Sequence, residues 1–172
     1  TSKDEYLSML DWSVDQREHP VMILIPGNQV TYREADKDFD RLNHFKVEEA
    51  GEKVAILALG DFYQRGEQLS AKIKAELGFT PTLINPRFAS GIDKELLESL
   101  SERHQMVITM EDGILSGGFG EKIASFYGSS DMKVKNYGLE KKFYDRYDPN
   151  ELLKEVGMTP AQIIADICNQ IK

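Results

Sequence analysis

Two hydrophobic patterns alternate along the chain. The first is the helical stripe. Tyr6, Leu7, Leu10 and Val14 recur at helical spacing. Ser2-Lys-Asp-Glu5 in front of them fits a capping box, in which the serine hydroxyl takes an early backbone N–H and the glutamate reaches back. His19-Pro20 is expected to stop this helix, because the residue before a proline is steered out of the α region. Leu69, Ile73 and Leu77 predict a helix over Gln64–Leu77, ended by Gly78. Asp93 is placed to cap a helix carrying Leu96, Leu97 and Leu100, and another helix is expected near Glu121–Tyr127. Two short helices close the chain. The last opens on Thr159-Pro160-Ala161-Gln162 and carries Ile163, Ile164, Ile167 and Ile171 on one face.

The second pattern is the short, uninterrupted apolar run, which suits a strand buried on both faces. Val21–Ile25, Val54–Leu59 and Met106–Met110 are such runs, and Phe45–Glu48, Thr82–Asn85 and Lys133–Tyr137 are further strand candidates. Val21–Ile25, bounded by the turn Pro26-Gly27-Asn28, needs sheet neighbours that no nearby segment supplies. The helix and strand before residue 28 therefore read as the edge of another domain, and the polar residues 29–42 as a linker. Phe45–Glu48, the turn Ala50-Gly51-Glu52 and Val54–Leu59 read as a hairpin. From there strands alternate with helices. This predicts an α/β fold of three layers, α/β/α, with a mostly parallel five-stranded sheet and one antiparallel strand contributed by the hairpin.

Composition narrows the function classes. A length of 172 residues suits one ordinary domain with a possible appendage, and the chain starts without Met, inside a helix cap, which suggests a piece of something longer. The formal charge of −8 argues against nucleic acid or an anionic membrane as partner. No apolar run is long enough to cross a bilayer, and no stretch of these residues reads as a signal peptide. A single cysteine excludes a disulfide framework and a cysteine-rich zinc site, and suits a reducing, cytoplasmic setting. Cys168 lies beside the last helical stripe and reads as inert packing.

Ligands of open α/β sheets gather at the carboxyl ends of the strands. Three loops are expected there. Gly60-Asp61-Phe62-Tyr63 reads as a Gly-Asp turn rather than an anion site. Arg87 either clamps a carboxylate or phosphate or pairs with an acidic neighbour, and local sequence leaves both open. The third loop, Glu111–Gly120, is rich in glycine but has neither the P-loop lysine nor the G-x-G-x-x-G spacing. Its glycines are expected to permit positive φ and to let Phe119 pack inward. Glu111 and Asp112 are adjacent, so their side chains point opposite ways and make a poor acid/base pair. His19, His44 and His104 lack metal-ligand spacing, and His104 is expected to end a helix, where positive charge is favourable. No residue set amounts to a self-contained catalytic, cofactor or metal site.

The motifs Glu52-Lys-Val-Ala-Ile-Leu-Ala-Leu-Gly60, Thr82-Leu-Ile-Asn-Pro-Arg-Phe88 with Ile92-Asp93, Val107-Ile-Thr-Met-Glu-Asp-Gly113 with Gly117-Gly-Phe-Gly120, and Asn136-Tyr-Gly-Leu139 with Glu155-Val-Gly-Met158-Thr occur in this order. Together they resemble the C-terminal domain of 1-deoxy-D-xylulose-5-phosphate synthases, in the transketolase group. The resemblance implies residues 1–28 as the tail of a preceding pyrimidine-binding domain, 29–44 as a linker and 45–172 as a transketolase C-terminal-like domain. It implies a full-length enzyme that uses thiamine diphosphate and Mg²⁺ to condense pyruvate with glyceraldehyde 3-phosphate, releasing CO₂, in the route to isoprenoids and thiamine. Cofactor and metal would sit on the upstream domains, leaving this chain inactive alone, with a role in homodimerisation and in shaping the active-site approach. Glu111, Asp112, Gly117, Gly118, Phe119 and Gly120 would then form a loop facing the neighbouring domain or subunit, and Arg87 an anion contact.

One departure stands out. The family's Arg-Tyr-Pro-Arg-Gly is Leu24-Ile25-Pro26-Gly27-Asn28 here. Loss of a charge-assisted phosphate contact costs about 1.5–3 kcal/mol, or roughly one to two decades of affinity. Alternatives are another transketolase-like or 2-oxo-acid dehydrogenase β-type enzyme, with a different acceptor, and a non-catalytic regulatory module.

Overall fold

Val54–Ala58 anchors the molecule: all five residues are fully buried. They belong to β2 (Lys53–Ala58), the middle of a five-stranded sheet with β1 (Lys46–Glu49), β3 (Thr82–Asn85), β4 (His104–Ile114) and β5 (Lys133–Leu139), in the order β1-β3-β2-β4-β5. The computed structural model describes residues 1–25, 31–34, 39 and 41–171. β2, β3, β4 and β5 run parallel, and β1 is antiparallel to β3.

Alternation along β2 sorts two cores. Val54, Ile56 and Ala58, with Leu83, Met106, Ile108 and Met110, pack against Leu69 and Ile73 of α2 (Tyr63–Leu77) and Ile163, Ile164 and Ile167 of α6 (Pro160–Gln170). Ala55 and Leu57, with Ile84 and Val107, pack against α3 (Lys94–Leu100) and α4 (Phe119–Tyr127) through Leu97, Leu100, Phe119, Ile123 and Tyr127. Helix ends follow the capping chemistry. Gly78 ends α2 at φ 75°, Asp93 accepts from Leu96 N–H, and Thr159 and Gln162 cap each other reciprocally. The remaining helices are α1 (Lys3–Asp15) and α5 (Pro149–Glu155).

The expected hairpin does not form. β1 pairs with β3, with Val47 opposite Ile84, and β3 lies between β1 and β2. The turn joining β1 to β2 crosses the start of β3 instead. Gly51 N–H donates to Thr82 Oγ1 (2.8 Å), and Glu52 N–H to the Thr80 carbonyl (2.9 Å). The antiparallel strand exists, but its neighbour is set by a long-range pairing that local pattern does not encode.

Residues 21–25 differ from the expectation more sharply: they are not a strand in this structure. Met22 is 84 % exposed and Leu24 80 %. The turn at residues 26–28 lies outside the described residues. The helix before them ends at Asp15, earlier than His19-Pro20, because Gln16 Oε1 accepts from the Glu18 and His19 N–H groups (3.0 Å each) and unwinds the chain. Leu7, Leu10 and Val14 face solvent. The opposite face of α1 is docked: Glu5, rather than closing the capping box, reaches Asn85, and Trp12 meets the Phe88 ring edge-on at 5.7 Å. Around the same helix, Lys3 N–H donates to the Thr31 carbonyl (3.0 Å), and Arg33 lies over Tyr63 and bonds Glu67 at 2.6 Å. Cys168 is exposed on α6, beside the buried stripe of Ile163, Ile164 and Ile167, so the packing role expected of it does not hold.

Candidate functional site

The carboxyl ends of β2, β3 and β4 carry the residues that sequence pattern singles out. The corner from β4 to α4 closes on a buried carboxylate. β4 continues past Met110 to Ile114, which pairs with Leu139 after an irregularity, so the first four residues of the expected loop are strand. Glu111 is 5 % exposed. Its Oε2 accepts from Phe119 N–H (2.9 Å) and its Oε1 from Gly120 N–H (2.8 Å). These are free donors of the first turn of α4, where the helix dipole favours negative charge. The position that a phosphate would take is thus filled by the protein's own carboxylate.

Glycine is required around that carboxylate. Gly117 has φ 80°, and a Cβ on Gly118 would lie 2.7 Å from Glu111 Oε2. A Cβ on Gly120 would meet Thr109 Oγ1 at 2.4 Å, where Thr109 donates to Asn136 Oδ1. Gly117 N–H also donates to the Glu121 carboxylate. Phe119 is buried and meets Phe45 at 5.9 Å between ring centroids. Glu111 therefore turns into its own domain, against the expectation that it faces a neighbour, while Asp112 is exposed, as alternation along a strand requires.

The end of β2 turns at Gly60 (φ 62°) into a single 3₁₀ turn over Gly60–Phe62. Helices leave β2 and β4 toward opposite faces here, which is the position where α/β sheets open a crevice. Asp61 and Asp112 stand beside it, both exposed. Crowding by surrounding protein, and then the Asp112 charge, lift the Asp61 carboxyl above its ordinary range. Among the described residues no three His, Cys, Asp or Glu side chains converge as a metal-ligand set.

At the end of β3, Asn85 is buried and bridges two segments. Its Nδ2 donates to Glu5 Oε1 (2.7 Å), and its Oδ1 accepts from Arg87 N–H (3.1 Å). Arg87 has φ 62°, and its guanidinium lies 4.9 Å from the centroid of the buried Phe39 ring, a cation–π contact. The Glu5–Asn85 link was not legible beforehand, since the two residues lie 80 positions apart.

Two of the histidines, His44 and His104, hold structural contacts. His44 Nδ1 lies 2.9 Å from Asp93 Oδ2, which also accepts from Phe45 N–H (2.9 Å). One buried aspartate thus caps α3 and holds the entry to β1, while sequence pattern exposes only the cap. His104 sits at the opposite, amino end of the sheet. Its Nδ1 lies 2.9 Å from the Leu100 carbonyl and its Nε2 2.8 Å from Thr82 Oγ1. The carbonyl can only accept, so Nδ1 carries the proton and Nε2 accepts from threonine. His104 opens β4 rather than ending α3, and burial pushes its pKa down despite its bond to the Leu100 carbonyl, so the expected cation is disfavoured.

A family model described as "Transketolase, C-terminal domain" matches residues 43–163. Curated proteins named 1-deoxy-D-xylulose-5-phosphate synthase are similar to the chain. That of Shouchella clausii (strain KSM-K16) is 31 % identical over 165 residues, covering 94 % of this chain and 26 % of the relative. That of Crocosphaera subtropica (strain ATCC 51142 / BH68) is 34 % identical over 119 residues, covering 68 % of this chain and 19 % of the relative. A solved structure described as "Split gene transketolase, inactive beta4 tetramer" shares the fold, with a TM-score of 0.66, 22 % identity, and coverage of 79 % of this chain and 44 % of that one. The chain thus spans about a quarter or less of the length of these curated relatives.

Proposed function

Because the chain belongs to the transketolase C-terminal domain family, we propose that it is the C-terminal domain of a thiamine diphosphate-dependent transferase resembling 1-deoxy-D-xylulose-5-phosphate synthase. The carrying observation is the similarity to a synthase of that name over 94 % of this chain. In this reading the full-length protein joins pyruvate to an aldose phosphate with loss of CO₂, in the cytoplasm. Residues 1–28 belong with a preceding domain, 29–44 link, and 45–172 form the family domain.

The residues described do not fit the cofactor. The α4 amides that would cradle a diphosphate oxygen are spent on Glu111, and no metal-ligand set converges among the described residues. In this reading thiamine diphosphate and Mg²⁺ belong on upstream domains, and this chain alone is inactive. Its role is homodimerisation and shaping the approach to the active site. Asp112 with the exposed Gly117, and Arg87 as an anion contact, are the elements offered to that approach. Within the loop, Glu111, Gly118, Phe119 and Gly120 hold the corner from inside.

Calorimetry of the full-length protein with thiamine diphosphate and Mg²⁺, followed by pyruvate turnover with glyceraldehyde 3-phosphate, tests this. Cofactor binding and CO₂ release are expected. Absence of both overturns the enzyme reading in favour of a non-catalytic module. Turnover only with an unphosphorylated acceptor moves the protein to another branch of the group, the outcome that Leu24 and Gly27 at the family's arginine positions make the sharp one to look for.

A further inference from the structure

The polar stretch ahead of β1 has the composition of a linker, yet its described residues are fastened to the domain at two places. At the first, Arg33 bonds Glu67 at 2.6 Å and its guanidinium lies 4.7 Å from the centroid of the Tyr63 ring, both on α2. At the second, Phe39 is only 3 % exposed, with the Arg87 guanidinium 4.9 Å from its ring centroid. Asn43 follows at φ 60°, and its Oδ1 accepts from the Ser90 hydroxyl (3.0 Å). Gly91 is required for that approach, since a Cβ there would lie 2.3 Å from Asn43 Nδ2. The loop that does the gripping is itself braced. Phe88 meets Trp12, and the Ala89 and Ser90 carbonyls accept from Lys122 Nζ on α4 (2.8 and 3.3 Å). A linker that swings freely leaves its side chains in water, whereas this one buries a phenylalanine.

We infer that the segment carrying Arg33, Phe39 and Asn43 is a strap that closes the carboxyl end of β3, with Phe39 and Arg87 as its clasp. Its path follows from the two cores. Tyr63, under Arg33, belongs to the core on the α2 side of the sheet. Phe45, into which the segment leads, belongs to the core on the α3 and α4 side. The chain between Arg33 and Phe45 therefore passes from one face to the other, and Phe39, held by Arg87 two residues after β3, marks the crossing. A guanidinium suits the clasp because it is planar and weakly hydrated, so it lies flat on a ring at small cost in solvation. The open crevice of this sheet is thereby confined to the ends of β2 and β4, beside Asp61 and Asp112, and a ligand at the end of β3 has to displace the strap first. An anion reaching Arg87 meets a guanidinium that Phe39 already holds. The strap goes beyond the reading of the chain as part of a larger enzyme and stands on contacts within this chain.

Chymotrypsin, which cuts after accessible aromatic residues, reads the clasp in the 172-residue chain, with the cut sites assigned by mass spectrometry. Cutting of a closed segment follows the population of its open form, so the bond after the fully exposed Phe143 is expected to be cut at least roughly 100-fold faster than the bond after Phe39. Arg87→Met keeps an unbranched side chain but removes the guanidinium, and should raise the Phe39 rate by about tenfold, the size of a partly desolvated cation–π contact. Arg33→Ala, at the more exposed fastening, should raise it by roughly threefold. The bond after the buried Phe119 should stay slow in both variants and serves as the control for general loosening. Equal cutting after Phe39 and Phe143 in the unsubstituted chain overturns the strap. So does an unchanged Phe39 rate in Arg87→Met with Phe119 still slow. Where Arg87→Met speeds cutting after Phe119 as well, Arg33→Ala decides: an unchanged Phe39 rate there overturns the strap, and a raised one with Phe119 slow upholds it. None of these readouts needs cofactor or turnover, so the strap can fail while the enzyme reading stands, and the reverse.

Discussion

Val21-Met-Ile-Leu-Ile25 and Val54-Ala-Ile-Leu-Ala58 are nearly interchangeable as patterns, yet one stands in solvent and the other is the most buried segment of the molecule. Both are apolar throughout, and both are short. Val54–Ala58 has β3 on one side, β4 on the other, and helix layers above and below. Val21–Ile25 has none of these among the described residues. Strand formation is thus a property of the neighbours as much as of the run, because every backbone N–H and C=O of a strand needs a partner that lies far away in sequence.

The largest expected effect comes from cutting into the paired run. Ile56→Ala should cost about 2–5 kcal/mol in urea unfolding of the 172-residue chain, since the site is fully buried against α2 and cannot collapse easily. A loss below about 1 kcal/mol would mean that β2 is not the keystone described.

Next comes the corner that closes β4, the strand beside β2, against α4. Glu111→Ala should cost about 3 kcal/mol, because two helix N–H groups lose a charged acceptor in a buried place. Glu111→Gln keeps the shape and one acceptor oxygen, so equilibrium unfolding should show a smaller loss. Equal losses for the two would remove the carboxylate's charge from the account.

A smaller effect tests the amino end of the paired run, where Lys53 lies opposite His104. The folded protein holds His104 neutral, with its pKa below the usual value of about 6.5. The unfolded chain therefore takes up the proton first. Stability should be complete above pH 7 and fall as pH drops from about 6.5 through the depressed folded value. His104→Gln should flatten that part of the profile, measured as melting temperature against pH.

The smallest effect belongs to the unpaired run. Leu24→Ala should change the stability of the 172-residue chain by no more than about 0.5 kcal/mol, as exposed substitutions do. A larger loss would show that Val21–Ile25 already packs against something in this chain.

The candidate site was legible in part. Gly117, Phe119 and Asp93 were readable because local geometry makes local demands: a positive φ, a residue between strand and helix, a helix cap. The role of Glu111 was not, although its type carried a hint. A carboxylate eight residues before a helix start can complete that helix's first turn only if the strand end curls over it, and no local pattern says so. Asn85 with Glu5, and His104 with Thr82, are long-range pairs of the same kind.

By itself the sequence determined which stretches are helices, where most of them are capped, which five segments of residues 45–139 can be strands, and that the fold is a layered α/β structure. These follow from periodicity and from chemistry within a few residues, where the interacting groups are neighbours along the chain. Only the tertiary structure decided that β1 lies beyond β3 instead of beside β2, that Glu111 turns inward to stand in for an anion, and that Val21–Ile25 is no strand among the described residues. Those outcomes depend on hydrogen-bond and packing partners tens of residues distant, and two runs with the same pattern can find opposite answers when only one of them is given neighbours.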